Sequence, residues 1–233
     1  MAGFYLRGAL IDFTESFPLP IPNVIIFQYN PESMTHGWTP ATTSPATPGS
    51  TANPLAITGD PQETFSFTLA MDATDMIADG DAVETALATA SGVYTRLAAL
   101  EMLLFPTAPP GGGLVGTVSA ALGLSAKAAP TTTVPSGQLP TVLFVWGPGR
   151  ILPVRVTALS ITEKLYDAAL LNPTHAEAQI SLRVLTAQEL GFVDGPLGTV
   201  AKMASTYSKG LREALALANL ANAAESIIGM LPL

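Results

Sequence analysis

The chain has 233 residues, a formal net charge of −8 and a pI near 4.6. This acidic balance argues against nucleic acid and anionic lipid as partners, because both select basic surfaces. Cysteine is absent, which excludes disulfides and thiolate metal sites. Hydrophobic residues make up 48% of the chain and charged residues only 12%, about half the usual charged share. Such a sparsely charged surface suits a protein whose sides are covered by neighbouring subunits.

Neither end of the sequence resembles a targeting or membrane segment. The N-terminal stretch MAGFYLRGALIDFTESF is interrupted by Arg7, Asp12 and Glu15, so it lacks the apolar block of a signal peptide. The apolar C-terminal stretch LALANLANAAESIIGMLPL contains Asn219 and Glu225 and is too polar and too short to span a bilayer. The sequence therefore predicts a soluble protein without a secretion signal.

The first third of the chain predicts three strands. Residues 4–13 and 23–29 form the first two, separated by a proline-rich turn. Residues 40–53 consist mainly of Thr, Ser, Ala, Pro and Gly and predict a loop. Residues 62–72 predict the third strand, in which apolar and polar side chains alternate. Its apolar side carries Phe65, Phe67, Leu69 and Met71.

A single helix is predicted next, because apolar residues recur at steps of three and four over residues 83–104. Asp81 followed by Glu84 resembles a capping box, and Pro106 ends the element. Residues 107–140 are rich in Pro, Gly, Ala and Thr. They are long for a loop in a compact domain, so they are either mobile or ordered by a partner.

Three further strands are predicted between residues 141 and 186. In the middle one the apolar phase slips between Ala158 and Leu159, which predicts a β-bulge that bends a long strand around a barrel. The last strand alternates without a break. Its apolar face carries Ala176, Ala178, Ile180, Leu182 and Val184.

The C-terminal region predicts a helix that starts at Pro196, runs towards Ile228 and is weakened by Gly210. The predicted organisation is a β-barrel domain over residues 1–190 and a helical extension over residues 191–233. The barrel domain carries two long loops, at residues 40–58 and 106–140.

No local pattern predicts a catalytic, cofactor-binding or metal-binding residue. Gly111, Gly113 and Gly116 satisfy G-x-G-x-x-G, but prolines precede them where a strand is required and no acidic residue follows at the required distance. His36 and His175 lie in different elements and form no paired metal-ligand spacing. The sequence thus favours polar-face or loop contacts for both histidines.

Acidic and aromatic residues have simple structural interpretations. The acidic run over residues 72–81 lacks the EF-hand spacing, and helix capping with the helix dipole explains it. Trp38 and Trp146 are more often packing anchors than ligand platforms. If the protein were an enzyme, its catalytic groups would have to be scattered along the sequence. A measurable turnover that is lost when Asp72 or His175 is changed would support an enzymatic function.

Residues 27–34, FQYNPESM, resemble the F-x-[FY]-N-P-x-x-[LM] motif of the tube-associated proteins of contractile injection systems. This family includes the tube initiators and adaptor subunits of phage-tail-like particles. Further matching segments follow in the family's order: LAMD at residues 69–72, PTVLFVWG at 140–147, RVTALSITEKLY at 155–166 and NPTHAE at 172–177. The resemblance covers roughly residues 20–190.

Two departures from the family limit what carries over. Residues 174–177, THAE, stand where relatives commonly carry an Arg before the Ala. The larger relatives continue into a peptidoglycan-binding LysM module, whereas this chain ends in an Ala/Leu-rich segment over residues 196–233. Cell-wall binding is therefore not expected.

The resemblance implies an α+β, mainly β fold: a tube-type antiparallel β-barrel or sandwich with one packed helix and a C-terminal helical extension. It also implies a homo-hexameric ring in which strands of adjacent subunits complete a barrel around a lumen. The ring would join the spike or hub protein to the inner tube protein and initiate tube assembly. We expect no catalytic residue, no cofactor, no metal, no nucleic acid and no membrane.

Under this hypothesis residues 40–53 and 107–140 and the C-terminal helix contact other rings or sheath and baseplate wedge proteins. The expected location is the bacterial cytoplasm within an assembled particle, with release to the extracellular space as the other possibility. The predicted core contains Phe65, Phe67, Leu69, Leu143, Val145, Ile180, Leu182 and Val184.

Two other functions stay open from the sequence. One is a repeated inner-tube subunit, although such subunits are usually shorter and lack long insertions. The other is a monomeric β-barrel module that binds a small apolar ligand or a glycan, which one enclosed pocket in a monomer would favour.

Overall fold

A computed structural model describes residues 6–14, 21–41, 57, 59–79, 81–105, 139–193 and 195–230. These residues form one seven-stranded antiparallel sheet and five helices, so the fold is α+β and mainly β, as predicted. The loops predicted at residues 40–58 and 106–140, with the three glycines of the G-x-G-x-x-G pattern, lie almost entirely outside the described residues.

The strands are β1 (Ala9–Thr14), β2 (Ile21–Ile26), β3 (Met34–Thr39), β4 (Gln62–Asp72), β5 (Val142–Val145), β6 (Ile151–Tyr166) and β7 (Pro173–Val184). The helices are α1 (Ala73–Asp79), α2 (Ala82–Ser91), α3 (Tyr94–Met102), α4 (Ala187–Leu190) and α5 (Gly195–Met230). Neighbouring strands follow the order β2-β1-β5-β6-β7-β4-β3. The predicted C-terminal helix is confirmed, and it continues through Gly210.

The sheet curls until its inner face almost closes on itself. β4 and β5 are three strand steps apart, which is about 14 Å in a flat sheet. The rings of Phe65 and Phe144 on these strands are nevertheless only 5.4 Å apart. Gln28, beyond the end of β2, exchanges hydrogen bonds of 2.9 and 3.0 Å with the backbone of Asp72 at the end of β4. The result is a barrel-like inner face.

Alternation along β4 and β7 places the hydrophobic core on this inner face. The predicted inner residues of both strands are buried, with Val184 partly buried. Helices α1 to α3 add apolar side chains to the same core: Met76, Ala88, Val93, Leu97 and Leu100. Each large aliphatic or aromatic side chain fully buried here stabilises the fold by about 1.5–3 kcal/mol relative to exposure.

The predicted bulge in β6 is confirmed close to the predicted position. The register with β7 shifts between Val156 and Ala158, which leaves Thr157 without a partner in the ladder. Because of this extra residue, Leu159 and Ile161 face the same side as Val156.

The prediction of one continuous helix over residues 83–104 is wrong. Two helices, α2 and α3, meet at Gly92, whose φ is +60°. A Cβ atom on Gly92 would lie 2.2 Å from the carbonyl oxygen of Pro173, which itself accepts a 2.9 Å hydrogen bond from Val93 N. The start of β7 therefore docks against the break. Apolar periodicity missed the break because residues on both sides of it still face the core.

The core prediction for β5 is also corrected. Val142 and Phe144 enter the main core, whereas Leu143 is buried on the opposite face and Val145 is only half-buried. Leu143 belongs to a second cluster beneath α5, formed with Leu185, Leu190, Ala201 and Ala204. A strand buried on both faces is a continuous apolar run, so alternation could not assign its faces.

The helix cap at Asp81 is confirmed, but the reciprocal capping box is not. Asp81 Oδ1 accepts hydrogen bonds from Val83 N at 3.0 Å and Glu84 N at 2.8 Å. The Glu84 carboxylate pairs with Arg96 of α3 and does not return to the cap. Strand β3 was not predicted, since its sequence MTHGWT has no apolar alternation.

Candidate assembly surfaces

The two outermost strands leave backbone hydrogen-bonding groups open. Within the part of the chain that the structure describes, β2 pairs only with β1 and β3 only with β4. One outward carbonyl of β2 is occupied, because Ile26 O accepts a 3.2 Å hydrogen bond from Arg96 Nη1. Unpaired edges of this kind are templates for pairing with another chain.

In the part of the chain that the structure describes, a third strand edge without a partner lies along β6. β5 pairs with it only over residues 151–154. Among the described residues, β7 is therefore the single neighbour of β6 over residues 155–166. An open cavity of about 360 Å³ adjoins this half of the strand. It is lined by Glu101, Leu104, Phe105, Leu159 and Ile161.

A second open cavity, which we call the β2 groove, lies between β2 and helices α1 to α3. Its volume is about 380 Å³. Four of its lining side chains are large, apolar and 46–68% exposed: Val24, Ile26, Val83 and Leu87. The same groove includes Asp81, Glu84 and Arg96. An apolar groove beside an unpaired strand is a surface that another polypeptide can cover.

The turn between β6 and β7 exposes a concentrated group of apolar side chains. We call residues 165–172 the hairpin tip. Its four large apolar side chains are Leu165 (72% exposed), Tyr166 (55%), Leu170 (67%) and Leu171 (72%). Single exposed leucines are common on protein surfaces, but four within seven residues form a patch.

The outer face of the four strands β6, β7, β4 and β3 is small and polar in its middle. The residues that face outward there are Thr35, Thr64, Ser66, Thr68, Ser160, Gln179 and Ser181. Charged residues flank this area at its ends, with Lys164 and Glu177 paired at 2.5 Å on one side. The middle of the face therefore presents hydroxyl and amide groups without formal charge.

Asp72 and His175, the residues that an enzymatic hypothesis singled out, lie opposite each other on β4 and β7. His175 Nδ1 is 3.3 Å from Asp72 Oδ2, and His175 Nε2 is 3.9 Å from Glu177 Oε1. Burial would raise the pKa of Asp72, but hydrogen bonds from Thr74 and His175 outweigh it and hold the pKa below its ordinary value. The imidazole thus lies between two carboxylates, with Asp72 within hydrogen-bonding distance of Nδ1.

Two other carboxylates are held by local partners. Burial opposes ionisation of Glu189, yet hydrogen bonds from Arg183 and Thr186 lower its pKa. Arg183 is only 8% exposed and contacts Glu189 through both terminal nitrogens, at 3.1 and 2.5 Å. The hydrogen bond to Asp75, together with burial, raises the pKa of Tyr29 to about 12. These groups fix β7 to α4 and the end of β2 to α1.

Helix α5 first packs on the sheet and then extends beyond it. Ala201 and Ala204 are buried against the outer side of β5. Ser208 Oγ donates to Ile151 O at 2.7 Å, and Tyr207 OH donates to Pro148 O at 2.9 Å. From Arg212 to residue 220 every side chain is exposed. This second part of the helix carries three exposed leucines: Leu215, Leu217 and Leu220.

Arg212 fixes the helix at the point where it leaves the sheet. Its Nη2 lies 2.5 Å from Glu63 Oε1, and its guanidinium lies 4.6 Å from the ring centroid of Trp38. Glu63 is 4% exposed and also lies 2.8 Å from His36 Nε2. Sequence reasoning missed this cluster. The available signal was Glu63 itself, an acid in the buried phase of β4 next to Phe65.

The remaining predicted residues have structural roles. His36 stacks on Phe65 with a centroid distance of 4.2 Å, and Trp146 packs against Phe27 and Phe144. Trp146 is thus the packing anchor that was predicted, whereas Trp38 is 46% exposed. Over the described ranges, no three His, Asp or Glu side chains are placed to hold a metal ion.

No family model matches the chain, and no curated protein matches it. Among the helices of the described residues, none combines the length and the apolar character needed to cross a membrane.

Proposed function

We propose that this chain is a non-enzymatic structural subunit of a contractile phage-tail-like injection system. In this role six copies form a ring that joins the baseplate spike or hub protein to the inner tube and initiates tube assembly. The ring belongs to a particle assembled in the bacterial cytoplasm, and it leaves the cell wherever that particle is released.

The observation that carries the proposal is that three edges of one curled sheet have no partner strand among the described residues: β2, β3 and residues 155–166 of β6. Open edges are a liability in a lone molecule because they pair with any exposed strand. Identical copies arranged head to tail in a closed ring pair such edges with one another. The sequence segments over residues 20–190 that resemble the tube-associated family, and that follow in the family's order, support the same kind of assembly.

The polar outer face of β3, β4, β7 and β6 supports a ring around a lumen. Its central residues, such as Thr68 and Gln179, offer weak neutral hydrogen bonds and no formal charge. A passing polypeptide would find few strong binding sites on such a wall. We assign this face to the lumen and the exposed half of α5 to contacts with sheath or baseplate wedge proteins.

The proposal is tested by imaging and by deletion. Electron microscopy of the purified chain should show rings of six copies around an axis. Deleting residues 107–140 should leave a folded protein that fails to support particle assembly. Normal particle counts for this deletion would contradict the proposal.

Stoichiometry separates the initiator from a repeated inner-tube subunit. A tube initiator should occur as one ring, about six copies, in each purified particle, whereas a tube subunit should occur in many rings. Quantitative mass spectrometry against a known baseplate protein measures the ratio. Many copies for each particle would favour the tube-subunit alternative.

A second candidate function is a monomeric module that binds an apolar ligand. The two cavities of about 360 and 380 Å³ are each large enough for a small molecule, but both are open, whereas an enclosed pocket was expected for this function. This function predicts a monomer at all concentrations that binds an apolar fluorescent probe at one saturable site. Rings by electron microscopy would reject it.

A further inference from the structure

The hairpin tip is built as a rigid turn although its side chains are exposed. Asp167 N donates to Asn172 O at 2.9 Å, and Leu171 N donates to Asp167 O at 3.0 Å. The Asp167 carboxylate accepts from Ala169 N at 3.1 Å and Leu170 N at 2.9 Å. Because these bonds lie within the turn, its shape does not depend on a partner.

The base of the tip is attached to the body of the protein. Asn172 Nδ2 donates to Ala90 O at the end of α2, with a length of 3.0 Å. Thr174 Oγ1 donates to Leu165 O at 2.7 Å, which joins the two strands below the tip. The tip therefore projects from a fixed platform, and its apolar side chains are held in place before any partner binds.

Backbone strain coincides with the exposed leucines. Leu165 and Leu171 have φ of 54° and 56°, a left-handed conformation that disfavours every residue with a Cβ atom except Asn and Asp. Glycine is the ordinary choice at such positions, and it would expose no apolar surface. Strain persists at binding sites when the strained side chain has a role there.

We propose that the hairpin tip inserts into the β2 groove of a second copy of this chain. Val24 and Ile26 line one side of that groove and Val83 and Leu87 the other, so both surfaces are apolar. The contact is heterologous, because the tip and the groove belong to different elements. It rests on the proposed ring and adds a side-chain contact between neighbouring copies to the pairing of their strand edges.

The charges of the groove do not oppose an apolar guest. Glu84 and Arg96 form an ion pair with each other, and Asp81 accepts the backbone hydrogen bonds that start α2. An inserted leucine therefore removes water from side chains that already have polar partners within their own chain. Desolvation of these three groups is correspondingly less costly than for free charges.

The buried area suits a closed ring better than a dimer. Each of the four tip side chains and four groove side chains presents on the order of 100 Å² to solvent. One tip-to-groove contact buries on the order of 400 Å² on each partner, about half the usual value for a stable interface between two chains. A copy in a closed ring makes two such contacts, one with its tip and one with its groove, whereas a copy in an open dimer makes one, so we expect monomers and rings with few dimers.

Engineered cysteines test the contact directly, because the native chain contains none. We would mix the Leu170→Cys chain with the Leu87→Cys chain under mild oxidation and expect a disulfide between the two. A disulfide requires Cα atoms about 4.4–6.8 Å apart, so only close docking forms it efficiently. The matched control mixes Leu87→Cys with Leu6→Cys, an exposed leucine that precedes β1, and should remain unlinked.

A second variant measures assembly without cross-linking. Leu170→Asp should weaken ring formation at least tenfold in native mass spectrometry, while its unfolding midpoint as a monomer stays unchanged. Leu6→Asp, which changes an equally exposed leucine outside the proposed contact surfaces, should assemble normally. Both variants lie outside the hydrophobic core, so misfolding does not complicate the comparison.

The outcomes separate this inference from the proposed function. Rings that persist with Leu170→Asp and give no tip-to-groove disulfide overturn the inference and leave the ring intact. The inference is also overturned if Leu170→Asp forms normal rings but these rings no longer bind a hub or tube protein, since the tip then contacts that protein and not a second copy. Cross-linked open chains support the contact and contradict the ring. A chain that is monomeric at every concentration overturns both.

Discussion

The inner face of the sheet and the hairpin tip contain similar side chains in opposite surroundings. Ile180 and Leu182 on β7 are at most 1% exposed, whereas Leu170 and Leu171, about ten residues earlier, are 67% and 72% exposed. The core residues follow the alternation of their strand. The tip residues lie where the alternation stops and the backbone turns.

This contrast shows that apolar character alone does not reveal what a residue packs against. Along β7 each apolar side chain meets a partner on β4 or β6 within the same chain. At the tip the backbone is fixed by hydrogen bonds, yet the four large apolar side chains are 55–72% exposed. The core stabilises the fold, and we infer that the tip stabilises contacts between copies.

The largest effect should come from truncating a core leucine. Leu182→Ala should lower the free energy of unfolding by about 2–5 kcal/mol, because it leaves a cavity in the main core. Leu171→Ala, the matched change at the tip, should alter it by less than about 0.5 kcal/mol. Urea denaturation at low protein concentration measures both. Equal losses would contradict the contrast between the two regions.

The contact between Gly92 and Pro173, at the base of the hairpin tip, should have the next largest effect on stability. Gly92→Ala should cost about 2–4 kcal/mol, because the new Cβ would meet Pro173 O and the backbone has positive φ. Gly147→Ala is the control: its φ is +68°, but nothing lies within 4 Å of the added atom. It should cost only about 1 kcal/mol. Similar unfolding midpoints for the two variants would show that Pro173 moves away from the new Cβ atom at little energetic cost.

Much of the sheet was predictable from the sequence because one face of each long strand is buried. Residues 62–72 were placed without error, since apolar and polar side chains alternate from Thr64 to Leu69. The bulge in β6 left a phase slip that could be detected locally. β3 left no such signal, because its register depends on β4 and not on an apolar face of its own.

The candidate surfaces were less predictable because they depend on contacts distant in sequence. The pairing of Arg212 with Glu63 joins residues 149 positions apart, and neither residue belongs to a motif. The helix break at Gly92 depends on the approach of Pro173 from another element. The exposure of the hairpin tip could not be predicted either, since Leu is among the residue types that are most often fully buried.

A smaller effect should appear at acidic pH at the base of the tip. Asp72 has a pKa below its ordinary value of 3.8, so its contribution is present above that pH and is lost as the pH falls through the lowered pKa. At neutral pH Asp72→Asn should cost about 1 kcal/mol, given its partial exposure. The difference in unfolding free energy between the two proteins should shrink below pH 4. A constant difference down to pH 2 would contradict this account of Asp72.

The smallest expected effect has the opposite sign. Leu171→Gly relieves a left-handed conformation that costs a leucine about 1–2 kcal/mol, and it adds about 0.5–1 kcal/mol of backbone entropy to the unfolded chain. The monomer should therefore become more stable, by up to about 1 kcal/mol, while ring formation weakens. Leu170→Gly is the control, because its φ is not positive and it should lose stability. A Leu171→Gly monomer that is stable but forms rings poorly would show that Leu171 serves contacts between copies and not the fold. If the variant lost both monomer stability and ring formation, Leu171 would instead stabilise the fold, as the core residues do.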